Sequence, residues 1–154
     1  MSVRLGELTD SSLIARRLTE TQFHVVGAPS YFDEHGRPRT LDDLAAHNCL
    51  EFTVRDTRLA RDWRFLRDGA EITVPPRGTM RFADGGARCD VACASLGPAQ
   101  IHGYYIDAAL AAGRLEPVEK FKPKSDPVWL LHPKTRHLSP RVRAFVDFTV
   151  ARFK

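Results

Sequence analysis

Residues 79–103 read Thr79-Met-Arg-Phe-Ala83, then Asp84-Gly85-Gly86, then Ala87-Arg-Cys-Asp-Val-Ala-Cys-Ala-Ser-Leu96, then Gly97-Pro-Ala-Gln-Ile-His-Gly103. That order predicts a strand, a tight turn, a helix over 84–96, a glycine stop and a second strand. Asp84 is placed to cap the helix by accepting a backbone N–H bond. Gly85 and Gly86 leave the first turn bare of side chains. A small anion can then approach free N–H groups and the positive end of the helix dipole. The same three residues also suit a plain capped turn with no ligand. Gly97 stands where a helix end favours a left-handed residue. In open α/β folds ligands bind where strand ends meet helix starts. The stretch therefore points to an α/β domain with a candidate site at its centre.

Upstream, Val3-Arg4-Leu5-Gly6 predicts a short strand ending at a glycine, and residues 9–12 a polar turn. Residues 13–18 and 23–28 predict two more strands, the second nearly all apolar. Pro29 and Ser30 open a short helix that Gly36 ends. Thr40-Leu-Asp-Asp43 has the outline of a capping box, with Asp replacing the usual Glu, and starts a short helix to His47. Residues 49–54 predict a strand. Arg55, Arg58, Arg61, Arg64 and Arg67 recur every three residues, a spacing that would make a nucleic-acid stripe on a helix. But Asp56, Asp62 and Asp68 are interleaved, and Trp63-Arg-Phe65-Leu-Arg67 alternates as a strand does. Arg67-Asp68-Gly69-Ala70 is a hairpin turn signal, so residues 62–66 and 70–74 are expected to pair, with the arginines mostly in water.

Downstream, residues 104–112 predict a helix stopped by Gly113, with Leu115 placed to contact it. The Lys- and Pro-rich run 120–127 suits a connector, and 128–132 an apolar strand. Ser139-Pro140 is an N-cap with proline at the first helical position. Val142, Phe145, Val146, Thr149 and Phe153 then fall on one helical face.

The 154 residues suit one domain or two small lobes, and 43% hydrophobic with 27% charged residues allows a buried core. A net charge of +4 is too mild to name nucleic acid as a partner. Cys49, Cys89 and Cys93 are an odd set without zinc spacing, so packing thiols are expected, with no metal and no cofactor. No Ser-His-Asp, Cys-His or paired-carboxylate arrangement appears, which argues against an enzyme. No leader or long apolar run is present, so a cytoplasmic protein without a membrane span is expected.

Read together, these phrases resemble the C-terminal part of a LysR-type transcriptional regulator. The resemblance is carried by Val3-Arg-Leu-Gly-Glu7, Asp10-Ser-Ser-Leu-Ile-Ala-Arg-Arg-Leu18, Ala28-Pro-Ser-Tyr31 and His35-Gly-Arg-Pro-Arg-Thr40. It continues through Leu44-Ala-Ala-His-Asn-Cys-Leu50, Asp62-Trp-Arg-Phe65, Ala112-Gly-Arg-Leu115 and His137-Leu-Ser-Pro-Arg-Val-Arg-Ala-Phe-Val-Asp147. These run in family order over nearly the whole chain.

The resemblance implies an α/β fold like the periplasmic binding proteins (type 2), with one nearly complete α/β lobe and the C-terminal remnant of a second. Residues 1–22 would be returning strands of lobe I and the hinge, 23–118 lobe II, and 119–154 a connector, strand and last helix of lobe I. A small effector, often a carboxylate, would sit between lobes, near Arg4, Gly6, Thr53, Asp84, Gly85, Gly86, Ile101 and His102. Arg4 could pair with a carboxylate, or with a neighbouring acid instead. Thr53 could offer a hydroxyl, and His102 a hydrogen bond or a pH response.

The family's winged helix-turn-helix, its linker helix and the first half of its first lobe have no counterpart in these residues. The expectation is a truncated regulatory domain that senses a small anion and does not bind DNA on its own. The alternative is an interaction fragment that pairs with itself or with a full-length regulator. Val3, Leu5, Val128, Leu130, Val142, Phe145 and Val146 are expected to be exposed by the missing half-lobe and to drive self-association. Pro98 enters a strand where the family has an aliphatic residue, at the cost of a ladder bond unless it lies at an edge.

Overall fold

The computed structural model describes residues 1–8, 12–54, 59–134 and 139–153. In chain order it holds β1 (Ser2–Leu5), β2 (Leu13–Gly27), α1 (Pro29–His35), a 3₁₀ turn (Asp42–Ala46), β3 (Glu51–Phe52), β4 (Trp63–Arg67), β5 (Ala70–Val74) and β6 (Arg81–Phe82). It continues with α2 (Gly85–Cys93), β7 (Ala99–His102), α3 (Gly103–Ala111), β8 (Glu116–Pro117), β9 (Ser125–Pro133) and α4 (Pro140–Arg152). The polar turn expected at 9–12 lies, apart from Ser12, outside the described residues, as do Arg55, Asp56 and Arg58 of the arginine repeat. The chain divides into two units, Met1–Thr21 with Ser125–Lys154, and Gln22–Lys124.

In the first unit, β1 runs antiparallel to β9, with Val3 opposite Leu130 and Arg4 opposite Trp129. β9 lies between β1 and β2. Ser139 caps α4 by accepting the Val142 N–H. Leu18, Leu130 and Val146 close a small core between strands and helix, joined by Val128, Val142 and Val150. This corrects an expectation: Leu130 and Val146 are not exposed, at 1% and 5% accessibility. α4 turns its own apolar stripe onto the strands, and each such side chain contributes roughly 1.5–3 kcal/mol. Val3, Leu5 and Phe145 are exposed, as the sequence suggests.

In the second unit, the end of β2 is flanked by β7 and β8, both antiparallel to it. Alternation along a strand sends Val25 and Val26 to opposite faces. Val26 packs with Leu50, Cys89, Ala92, Ile101, Ile106 and Leu115, under α2 and α3. Val25 packs with Leu44, Cys49, Trp63, Phe65 and Phe121. Burial pushes the Cys49 and Cys89 thiols up, each to about 11, so at neutral pH they are uncharged packing groups.

Several elements differ from their sequence expectation. The strands expected at 13–18 and 23–28 are one strand, Leu13–Gly27, because no Gly or Pro interrupts Thr19-Glu-Thr-Gln22 and threonine favours extended backbone. The strand expected at 49–54 shrinks to β3, which pairs parallel with β6. Cys49 donates instead to two loop carbonyls, Arg77 O at 2.9 Å and His47 O at 3.0 Å, and Leu50 to Pro98 O at 2.8 Å. Pro98 itself stands just before β7 rather than within it. The capping box at Thr40 forms both bonds, Thr40 N–H to Asp43 and Asp43 N–H to the Thr40 hydroxyl, but it opens a 3₁₀ turn rather than an α-helix. α3 ends as expected, with Gly113 at φ +67 and the Arg114 N–H reaching back to Ala109 O.

Candidate functional site

α2 starts where β6 ends. The Asp84 carboxylate accepts the Ala87 N–H at 2.8 Å, and the Asp84 carbonyl accepts the Arg88 N–H at 3.3 Å. The N–H groups of Gly85 and Gly86 have no partner among the described residues. They are two of the donors that any helix start leaves open. Gly85 is buried, and a Cβ there would come within 2.5 Å of the Tyr105 ring. The glycine thus lets the first turn of α2 and the first turn of α3 approach. A Cβ at Gly86 would meet only the capping carboxylate, at 3.2 Å.

His102 is the N-cap residue of α3 and ends β7 opposite Phe23. Its ring stacks on Phe23 with centroids 3.7 Å apart and on Tyr104 at 5.4 Å, and Tyr104 contacts Tyr105 at 4.5 Å. Phe23, His102, Tyr104 and Tyr105 form an aromatic row that reaches Gly85 through Tyr105. The Arg61 guanidinium sits 5.3 Å from the Phe23 centroid.

Arg88 lies one turn into α2, three residues past Gly85 and on the same helical face. It is buried, with 4% of its surface exposed. Its Nη2 donates to Gln100 O at 2.7 Å, the guanidinium lies 5.0 Å from the Phe52 centroid, and Nε has no partner among the described residues. Burial lowers the guanidinium to about 10, with Arg61 lowering it further and Tyr105 opposing, so it stays charged at pH 7.

The expected site residues are distributed as follows. Asp84, Gly85, Gly86 and His102 belong to this cluster. Thr53 closes β3 by donating its N–H to Phe82 O at 2.7 Å and bridging to Ala60. Ile101 is fully buried in the core beneath α2 and α3, so its side chain holds the helices rather than a ligand. Arg4 and Gly6 belong to the first unit. Gly6 donates to Pro127 O at 2.9 Å and accepts from Trp129 Nε1 at 3.0 Å, with φ +90. Its amide is spent on clasping the end of β1 to β9. Arg4 has no ion pair among the described residues.

Sequence reading missed Arg88, Arg61 and the Tyr104–Tyr105 pair. The available signal was Arg88 itself, a cation on the face that carries Gly85, Cys89 and Ala92. Elsewhere on this unit, Arg39, Arg67, Lys120 and Lys122 surround an open cavity of about 370 Å³. Among the described residues no three His, Cys, Asp or Glu side chains gather as a metal site requires, and no helix is long and apolar enough to cross a membrane.

The fold is that of a periplasmic-binding-protein-like (type 2) regulatory domain. It superposes on the full-length Vibrio cholerae virulence activator AphB with a TM-score of 0.81 at 21% identity, covering 99% of this chain and 51% of that one. The CrgA regulatory domain of Neisseria meningitidis, a LysR-type transcriptional regulator, superposes with a TM-score of 0.76 at 26% identity, covering 99% of this chain and 75% of that one. The chain belongs to the LysR substrate binding domain family, which it matches over residues 1–154. It is 32% identical over 153 residues to the HTH-type transcriptional regulator CrgA of N. meningitidis serogroup C, covering 97% of this chain and 50% of that protein. The chain thus spans about half the length of the curated relatives it matches.

Proposed function

We propose that this chain is the effector-sensing part of a transcriptional regulator, and that its effector is a small anion, most simply a carboxylate, received at the start of α2. The observation that carries this reading is the pair of unpartnered N–H groups at Gly85 and Gly86, on a helix start whose own cap is turned to Ala87. A bare first turn and a helix dipole favour negative charge there. His102, Tyr104 and Tyr105 form an aromatic wall beside it. Affinity on the order of millimolar is expected for a simple carboxylate, a few kcal/mol. A thermal-unfolding series with sodium acetate against sodium chloride at matched ionic strength tests this. Stabilisation by acetate alone supports the site, and equal curves in the two salts count against it.

A second reading, self-association, rests on a separate observation. Val3, Leu5, Phe145 and Phe148 of the first unit are all exposed, Phe148 at 68%. The two readings are compatible in one regulator.

A further inference from the structure

We infer that Arg88 is the charge-selecting residue of this site, balancing an oxyanion head group, a carboxylate, from beneath the first turn of α2. The inference rests on the reading of that turn as the effector site. It adds a residue, a reason for anion selectivity and a consequence for the unliganded protein.

A guanidinium as deeply buried as that of Arg88 normally faces a carboxylate, because an unpaired charge in a low-dielectric interior is costly. Arg88 has no acidic partner among the described residues. Its contacts are a backbone carbonyl, a phenyl face and the like charge of Arg61 nearby. A cation one turn from a helix start is also opposed by the helix dipole. A methionine would fill the same volume and carry neither cost.

Position supplies the purpose. Arg88 shares a helical face with Gly85. Tyr105, whose ring packs on Gly85, is also one of the groups that tune the Arg88 guanidinium. Buried cation, open N–H groups and the positive end of the helix dipole therefore all belong to the first turns of α2, with Tyr105 beside both Gly85 and Arg88. An arriving carboxylate would supply the missing negative charge, and its interaction with Arg88 would be weakly screened. A neutral ligand of the same shape would gain nothing from it.

The test compares wild type with Arg88→Met and Arg88→Lys, following the Gly85 and Gly86 amides and the Arg88 Nε–H resonance by NMR during sodium acetate titration. In wild type the Nε–H signal is expected to move in step with the two amides. Arg88→Met is expected to unfold at no lower temperature than the unliganded wild type and to bind acetate at least about tenfold more weakly. Arg88→Lys, which keeps the charge, is expected to retain most of the affinity. Undiminished acetate binding by Arg88→Met overturns the inference and leaves the effector site standing. Wild-type amides that shift while the Nε–H signal stays fixed at saturation also overturn it, without any variant needing to fold. If the wild-type amides themselves do not move, both the site and the role of Arg88 are rejected.

Discussion

A Cβ at Gly97 would stand 1.9 Å from the backbone carbonyl oxygen of Asn48, whereas a Cβ at Gly85 would meet the Tyr105 ring at 2.5 Å. A backbone carbonyl cannot yield, but a half-exposed ring can swing aside. Gly97→Ala is therefore expected to lose more than about 4 kcal/mol, among the severe single substitutions. Gly85→Ala is expected to lose about 1–3 kcal/mol, recovered in part by adding Tyr105→Ala. Urea denaturation of the three variants measures both. The sequence pointed to Gly97 for a different reason, as the left-handed stop of α2. The helix-ending αL residue is Ser95, at φ +65; Gly97 also takes a positive φ, +156, and is needed besides for close approach to Asn48, which no local pattern reveals. A second residue-scale outcome concerns His47. Its Nδ1 lies 3.2 Å from the Tyr31 hydroxyl, which accepts the Asn48 N–H and is free to donate to the imidazole. Burial raises the Tyr31 phenol, and burial with nearby His35 lowers His47 below its ordinary 6.5. Because the folded value is depressed, the unfolded chain takes up the proton first. Stability is full above pH 6.5 and falls as pH drops through the folded value. Unfolding midpoints at stepped pH check this, and Tyr31→Phe, which takes the acceptor from the Asn48 N–H, is expected to cost about 1 kcal/mol at about pH 7.5 while leaving the slope in place.

The β4–β5 hairpin was legible in the sequence, turn and all. Asp68 and Gly69 both take positive φ, as the tightest hairpin turns require, and the strands pair from Trp63 opposite Val74 to Arg67 opposite Ala70. Hidden from the sequence was how the arginine repeat is divided. Arg64 bonds Glu71 across the hairpin at 2.6 Å, and Lys124 reaches the same carboxylate at 2.7 Å. Alternation favours the strand over the stripe, but it does not say which carboxylate each arginine meets until the cross-strand register is known. The hydrogen bonds from Arg64 and Lys124 hold the Glu71 carboxyl well down, at about 2. A depressed acid contributes stability above its unfolded value near 4.5 and loses it as pH falls toward 2. The group is partly exposed, so screening limits the effect to about 1 kcal/mol or less. Glu71→Gln is expected to remove that part of the acid sensitivity, and half-molar salt to weaken it in wild type, both readable from denaturation at about pH 3 and pH 6.

On the scale of the molecule, the family was legible because phrases scattered from Val3 to Asp147 keep their order, and order over a whole chain constrains far more than one turn. The closing of the first unit was not legible. An amphipathic last helix reads the same whether its stripe covers its own strands or a neighbour's, and here Val146 covers Leu18 and Leu130. Phe145 and Phe148 remain outside that core, with Val3 and Leu5 exposed on β1. Each apolar side chain removed from water contributes roughly 1.5–3 kcal/mol, enough in combination to offset the entropy of association. Self-association is thus expected at micromolar concentration by light scattering, and Phe145→Ser with Phe148→Ser should shift it to monomer. A stable monomer in the unmodified chain contradicts that reading but leaves the effector site untouched. The central claim is that a small anion is received at the start of α2, and the measurement that tests it most directly is an amide-resolved carboxylate titration. Saturable shifts are expected at Gly85, Gly86 and the His102–Tyr105 row, with only weak, unsaturated drift at Lys120 and Lys122. Shifts confined to Lys120 and Lys122, or none at Gly85 and Gly86 in a folded protein, contradict it.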